Sequence, residues 1–229
     1  MTTIEYKRYD SSYEAEVLEV FTDAFEGYPL FYGIFEGIFK TEQKLQSFYE
    51  QSLKSIFRAT IRKDRCFIGF LDGQVVDVVV LKSPTEKPIG FFDYFVSGMP
   101  AIFLKLGFKK TFQYLDLSER TEVVVKSIKE PRWHLYFLAV SPKHQKEGIG
   151  TDAIQNFVIP MVKENNGNLL TVTTNSEKNV KFYLDNGFSL VKEEMLVFNG
   201  KTFGNWTFRM DLKEEINLVA ERLNIGIRG

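Results

Sequence analysis

The apolar run Leu-Tyr-Phe-Leu-Ala-Val at 135–140 stops at Ser141-Pro142, turns through Lys-His-Gln-Lys-Glu, and reaches Gly148-Ile-Gly150 with apolar residues at helical spacing beyond. A strand that empties through a polar loop into a glycine-opened helix constrains the fold more than any other feature of the chain. The helix is expected over 148–163, with Ile149, Ala153, Phe157 and Val158 facing inward. A second strand at 169–174 and a second helix at 177–185, stopped by Asn186-Gly187, complete a β-α-β-α unit.

The flanking chain supplies more strands. Residues 65–71 and 75–82 are β-rich and meet at Asp72-Gly73, the strongest hairpin signal present. Upstream, 4–9 alternates as a short strand. Ser11 with Glu14 reads as a capping box opening a helix with Val17, Leu18, Phe21, Ala24 and Phe25 on one face. Thr41 is placed to cap a helix carrying Leu45, Phe48, Ser52 or Leu53, and Ile56, and 28–39 is an aromatic stretch that is a short helix or an ordered loop. Residues 89–128 read as two or three helices punctuated by Gly98 and Gly107, and strands at 190–198 and 206–212 join at Asn199-Gly200. The expected fold is α/β (α+β), a mixed central sheet of about seven strands flanked by helices. One domain over 1–211 would carry a helical insertion at 84–130, and a tail at 212–229 has Ile216, Val219, Ala220 and Leu223 at helical spacing, for packing on the domain or on a second copy in a homodimer.

Composition narrows the function. Lys plus Arg number 29 against 30 acids, so no global field steers the chain to nucleic acid or an anionic membrane. Cys66 is the single cysteine, which excludes an internal disulfide and a Cys-rich zinc site, and its Cys-Phe-Ile-Gly-Phe context reads as a buried strand. His134 and His144 are the only histidines and lack an acidic pattern nearby, so no metal is expected. The first residues carry no apolar leader and no run is long enough to span a bilayer, which leads to the expectation of a cytoplasmic protein.

The loop at 145–151 has a chemistry of its own. The first N–H groups of a helix lack intrahelical partners and carry partial positive charge, so an anionic phosphate fits there. Gly148 and Gly150 let it approach the backbone; Lys143 and Lys146 add charge, and Glu147 opposes it unless turned away. A Walker loop fails, because no Lys follows Gly150. Gly148-Ile-Gly-Thr-Asp-Ala153 fits a dinucleotide fingerprint, but 169–173 offers no ribose-binding acid and too little chain follows for a doubly wound sheet.

Gln145-x-x-Gly148-x-Gly150 after the strand resembles the pyrophosphate loop of the GCN5-related N-acetyltransferases, the GNAT superfamily. Downstream, Thr173-Thr-Asn-Ser-Glu-Lys-Asn179-Val-Lys-Phe182-Tyr183-Leu-Asp-Asn-Gly187-Phe188 resembles the family's second signature, most closely in the small-molecule branch that includes puromycin acetyltransferase. The resemblance covers roughly 1–211. It implies the GNAT acyl-CoA fold, acetyl-CoA as cosubstrate, and transfer of the acetyl group to an amine, with a small molecule as the expected acceptor. By the same resemblance Leu138, Ala139 and Val140 offer backbone groups to the pantetheine and the carbonyl, while Gln145, Lys146, Glu147, Gly148, Ile149, Gly150 and Thr151 wrap the pyrophosphate. Asn175 and Asn179 would bond near the pantetheine arm, Phe182 would pack beside it, and Tyr183 would be the general acid.

A tyrosine near pKa 10 donating to a thiolate near 8.5 is uphill by only about 2 kcal/mol. Two features depart from the family pattern. Asp77 stands where relatives often carry a small residue and reads as a position on an exposed strand face, and 135–140 contains no carboxylate to serve as base. Glu26, Glu36 and Glu122 are conceivable bases, each reading first as an ordinary surface carboxylate. A non-catalytic acyl-CoA sensor and, further off, an NAD(P)-binding oxidoreductase are the competing functions.

Overall fold

The computed structural model describes residues 4–30, 35, 38–62, 65–87 and 89–212. Seven strands form one open sheet: β1 (Glu5–Arg8), β2 (Arg65–Leu71), β3 (Gln74–Lys82), β4 (Trp133–Val140), β5 (Leu169–Thr174), β6 (Ser189–Phe198) and β7 (Lys201–Asp211), in the order β1-β2-β3-β4-β5-β7-β6. Only β4–β5 is parallel. The expected mixed sheet flanked by helices is therefore the observed one, and a single parallel pair leaves the dinucleotide reading without its doubly wound sheet.

Alternation along the strands divides the core. Ile68, Val78, Val80, Phe137 and Ala139 face α1 (Glu14–Ala24) and α2 (Glu42–Ile61), meeting Val17, Phe21, Phe48, Leu53 and Phe57. Val79, Leu81, Leu135, Leu170, Val172 and Phe208 face the other way, against Ala153, Ile154, Val158 and Val162. Each fully buried Val, Leu, Ile or Phe among these contributes about 1.5–3 kcal/mol of transfer free energy, so both faces hold the central strands rigid. Thr41 caps α2 as expected, accepting from the Lys44 N–H at 3.4 Å. Asp72-Gly73 turns the β2–β3 hairpin, with φ of 50° and 79°; positive φ at both central residues matches the strand twist.

Several expectations need correction. The Ser11 capping box does not form: Asp10 accepts from the Ser12 N–H at 2.8 Å, and Ser11–Tyr13 is a 3-10 turn leading into α1. The regular helix expected over 148–163 comes in three consecutive pieces, α7 (Ile149–Asp152), a π-helical turn (Ala153–Val158) and α8 (Ile159–Glu164). Pro160 is the reason, since it has no N–H for the Asn156 carbonyl and its ring crowds that group, which the wider turn relieves. The turn keeps Ala153, Ile154 and Val158 on the sheet while Phe157 stacks on Tyr6 at 4.1 Å.

Over 89–128 there are four helices rather than two or three among the described residues: α3 (Phe91–Val96), α4 (Met99–Leu106), α5 (Phe108–Thr121) and α6 (Val123–Ser127). Strand β7 begins at Lys201 rather than 206, because Gly204 lets the Trp206 ring lie where a Cβ would be, 1.9 Å away. The last helix, α9 (Lys178–Asp185), ends at Asn186-Gly187 as expected. The tail beyond Leu212 and much of the aromatic stretch 28–39, Glu36 included, lie outside the described residues.

Asp77 is the largest departure. It is fully buried rather than exposed, opposite Gly69 on β2, where any Cβ would lie 1.7 Å from its Oδ1. The Tyr6 hydroxyl donates to Oδ2 at 3.0 Å, and Oδ1 has no partner among the described residues. Burial pushes its pKa up to about 7.

Candidate active site

The ladder between β4 and β5 joins Trp133 to Leu170, His134 to Thr171 and Leu135 to Val172, and ends there. Tyr136 marks the break. On the other edge of β4, Leu135 pairs with Leu81 and Phe137 with Val80, so Tyr136 is an extra residue, a bulge that bends and twists its strand. Past it, Leu138, Ala139 and Val140 stay on β3, opposite Val79, Val78 and Asp77, while β5 follows β7. The two strands part, and the β4 edge facing the gap bears backbone groups outside the β4–β5 ladder.

The loop after β4 is held at both ends. The Ser141 N–H donates to the Val76 carbonyl at 2.8 Å, and Gln145 Nε2 donates to the Val140 carbonyl at 3.2 Å. Lys146 and Gly148 take φ of 69° and 87°, folding the chain back so that buried Ile149 starts α7 and the Asp152 N–H reaches the Gly148 carbonyl. The N–H groups of Ile149, Gly150 and Thr151 precede the first intrahelical donor. Glu147 is exposed and its carboxylate lies 3.0 Å from His144 Nδ1, so its charge is engaged there.

Helix α9 closes the other side of the gap. Phe182 lies so near the loop that a Cβ on Gly150 would meet its ring at 3.1 Å. Asn186 Nδ2 reaches Thr151 Oγ1 at 3.4 Å, joining α9 to α7, and Asn179 Nδ2 donates to Thr174 Oγ1 at 3.2 Å. Asn175 lines the gap, and its buried side-chain Nδ2 donates to the Gly204 carbonyl and Asn205 Oδ1, which ties the end of β5 to β7. The Asn175 backbone N–H donates to the Tyr28 hydroxyl at 2.7 Å, which ties the end of β5 to the opposite wall.

A cavity fills the fork. One wall is Leu138, Thr173, Thr174, Asn179 and Tyr183; the other is Tyr28, Tyr94, Tyr114, Ser118, Glu122 and Tyr136. Tyr183 and Glu122 thus share one cavity, although 61 positions apart in the chain. Burial, with Tyr28 nearby, raises the Tyr183 pKa, so its hydroxyl keeps its proton near neutral pH but gives it up less readily than a free phenol. Of the conceivable bases, Glu26 is exposed, while Glu122 lines the cavity with its side chain 21% exposed.

His134 stands behind Glu122, its Nε2 3.8 Å from the carboxylate. The Thr171 hydroxyl donates to the Trp133 carbonyl, so it accepts from His134 Nδ1 at 3.0 Å, which fixes the proton on Nδ1. Burial lowers the His134 pKa to about 4, leaving the ring neutral. The four tyrosines facing Glu122 were not singled out in the sequence, where they carry no common spacing. Cys66 is buried with its thiol pKa raised, as its strand context led one to expect. Among the described residues no group of three or more His, Cys, Asp and Glu is placed to hold a metal ion, and no helix is long and apolar enough to cross a membrane.

Comparison with known proteins agrees with this geometry. Residues 102–210 match the family described as "Acetyltransferase (GNAT) domain". Among solved structures, the fold is similar to a polyamine N-acetyltransferase from Drosophila melanogaster (TM-score 0.58, 15% identity, 91% of this chain and 100% of that one). It is similar also to a GCN5-related N-acetyltransferase from Rhodopseudomonas palustris (0.55, 15%, 92% and 97%). A third is YncA from Salmonella typhimurium, a putative acetyltransferase with acetyl-CoA (0.51, 12%, 93% and 96%). At these identities the likeness is one of fold. No curated protein matches in sequence. Residues 102–210, a little under half of the chain, are similar to a GNAT acetyltransferase domain, and that match supports acetyl transfer.

Proposed function

We propose that the protein moves the acetyl group of acetyl-CoA to the nitrogen of a small-molecule amine, with Tyr183 as general acid. The observation that carries this reading is the fork between β4 and β5, which has the 145–151 loop at its mouth, the β4 edge at Leu138 and Val140 along its side, and the Tyr183–Glu122 cavity within it. The donor set fits the cosubstrate. Ile149, Gly150 and Thr151 present N–H groups to a pyrophosphate, Gln145 and Lys146 shape the loop around it, and Glu147 is drawn off by His144. Phe182 and Asn179 line the way to the cavity, with Asn175 holding the strand end in place. Bound acetyl-CoA supplies an acetyl thioester.

The rest follows from the chain's own residues. The amine nitrogen forms its bond to the acetyl carbon as the carbon–sulfur bond breaks, and the electron pair stays on sulfur. Backbone N–H groups on the free β4 edge are the donors available to the carbonyl oxygen. The Tyr183 hydroxyl supplies the proton to sulfur. Its raised pKa enlarges the uphill step beyond that of a free phenol, while the same burial makes a bare thiolate costlier to leave unprotonated. The nitrogen's surplus proton leaves on the opposite wall, where Glu122 is the carboxylate. The 173–188 segment, similar to the small-molecule branch of the family, supports a compact acceptor.

Thermal melting against acetyl-CoA, NADH and ATP tests the ligand class. At one hundred times its dissociation constant acetyl-CoA is expected to add about 2.7 kcal/mol, and the two nucleotides little. CoA release in an amine panel then separates an enzyme from a sensor, and stabilisation by NADH alone contradicts the proposal.

A further inference from the structure

The cavity between Tyr183 and Glu122 adjoins a second one, and Tyr94, Ser118, Glu122 and Tyr136 line both. Their charges differ. In the inner cavity Glu122 is the one charged side chain among the described residues, standing among the tyrosine rings. The outer cavity adds Lys82, Lys87, Lys126, Lys129 and Arg132, together with Glu86, Glu119 and Glu130.

Two of those carboxylates are matched and the third in part. Glu119 pairs with Lys126, Glu86 with Arg65 at 3.4 Å, and Glu130 lies 3.6 Å from Arg209, which it shares with Asp211 at 2.6 Å. Lys82, Lys87, Lys129 and Arg132 are left opposite Glu122 and the half-matched Glu130, so the outer wall is still net positive. Two of the four are fixed in place: Lys82 Nζ lies 3.2 Å from the centre of the Tyr136 ring, and Arg132 Nη1 donates to the Ile128 carbonyl at 2.8 Å. His134, on the wall of the outer cavity, responds to the same field. Burial is the main reason for its low pKa, Glu122 acts against it, and Lys82 and Arg132 push it further down. The ring therefore adds no charge near neutral pH.

We propose that the acceptor is a short primary amine bearing an anionic group, carboxylate or phosphate, at its other end. Its ammonium lies on Glu122 within the tyrosine rings, where a carboxylate and ring faces both favour a cation. Its anion reaches the outer wall, toward Lys82, Lys87, Lys129 and Arg132. A diamine of the same length would set its second cation against that wall, and a plain alkylamine would leave it unused. This rests on the acetyl-transfer reading above, with the Glu122 side of the fork as the acceptor's place.

The test uses the full chain. Acetyl-CoA binding is measured first by calorimetry, and CoA release is then followed with four matched series of three to six carbons: alkylamines, diamines, ω-amino carboxylates and aminoalkyl phosphates. One of the two anionic series is expected to exceed the alkylamine and diamine of equal length by at least about tenfold in kcat/KM, with the gap narrowing as salt is raised. Which anionic series leads tells carboxylate from phosphate. Lys87→Glu with Lys129→Glu, both at exposed positions, should shift the preference toward the diamine. Glu122→Gln should raise the amine KM by on the order of tenfold or more with acetyl-CoA affinity unchanged. The inference is overturned if a protein that binds acetyl-CoA turns over none of these amines, shows no preference, prefers the diamine, or keeps its preference in the charge-reversed variant. Failure to bind acetyl-CoA overturns the acetyl-transfer reading itself, and this inference with it.

Discussion

The two walls of the fork are built by different means. On the β4–α7 side the groups proposed to hold the cosubstrate are mainly backbone atoms, placed by the Tyr136 bulge and the positive φ of Lys146 and Gly148, with α9 adding the Tyr183 side chain. On the opposite side they are side chains from separate elements, Tyr28 before α2, Tyr94 on α3, Tyr114 on α5 and Glu122 after it. A backbone-built site tolerates exchange of most side chains but not of the residues that set its dihedrals and clearances. A side-chain-built site inverts that sensitivity, and it can be retuned one residue at a time.

That contrast predicts the sharpest loss at Gly150. Gly150→Glu puts a side chain where Phe182 leaves 3.1 Å for a Cβ and a negative charge at a helix start. Acetyl-CoA binding by calorimetry should vanish, with the melting temperature of the free protein changed by no more than a few degrees. Unchanged affinity would move the cosubstrate away from this loop. Next in size is Tyr183→Phe, which keeps the ring packed on Phe188 and Phe208. The expected result is kcat lower by on the order of a hundredfold at unchanged acetyl-CoA affinity. If the hydroxyl only anchors the ligand, affinity should fall by about 1 kcal/mol and kcat stay within a few-fold.

The smallest effect concerns stability beneath the backbone-built wall, where Asp77 pairs with Val140. Its folded pKa of about 7 lies above the value of an unfolded aspartate, so the folded state binds the extra proton. Stability should be unaffected below pH 4, fall as pH rises from about 4 to 7, and level off above that. Asp77→Asn should remove this slope and gain about 1–2 kcal/mol at pH 8, less than the full carboxylate penalty because a buried amide is also dehydrated. Urea titrations at pH 5 and pH 8 decide it, and equal slopes for the two proteins would show that Asp77 does not titrate as described.

The same contrast explains what could be read from the chain beforehand. The hairpin at Asp72-Gly73, the strand limits of β5 and the stop of α9 follow from local turn chemistry, so spacing alone placed them. The loop after β4 announced itself through Gly148 and Gly150, because backbone sites demand particular residues at fixed offsets, whereas the fork itself depends on the Tyr136 bulge, which leaves no local mark. Pro160 disturbed its helix through a clash one turn away, and Gly204 marked an approach by Trp206 visible only once the side chain was in place. Asp77 looked exposed because period-two alternation cannot tell which face helices cover. Glu122 is the clearest case: its neighbours Tyr28, Tyr94, Tyr114 and Tyr136 come from four separate segments of the chain, and nothing local distinguishes it from Glu119 three residues before.

The central claim is that acetyl-CoA lies along the free edge of β4 and over the start of α7. Amide hydrogen exchange with and without saturating acetyl-CoA tests this most directly, because the groups concerned are backbone N–H donors whose exchange a bound ligand slows. The account predicts slower exchange at 138–140 and 146–151, with a lesser effect at 175–183. Protection confined to other strands or helices, or none at all from a ligand shown to bind, would contradict it.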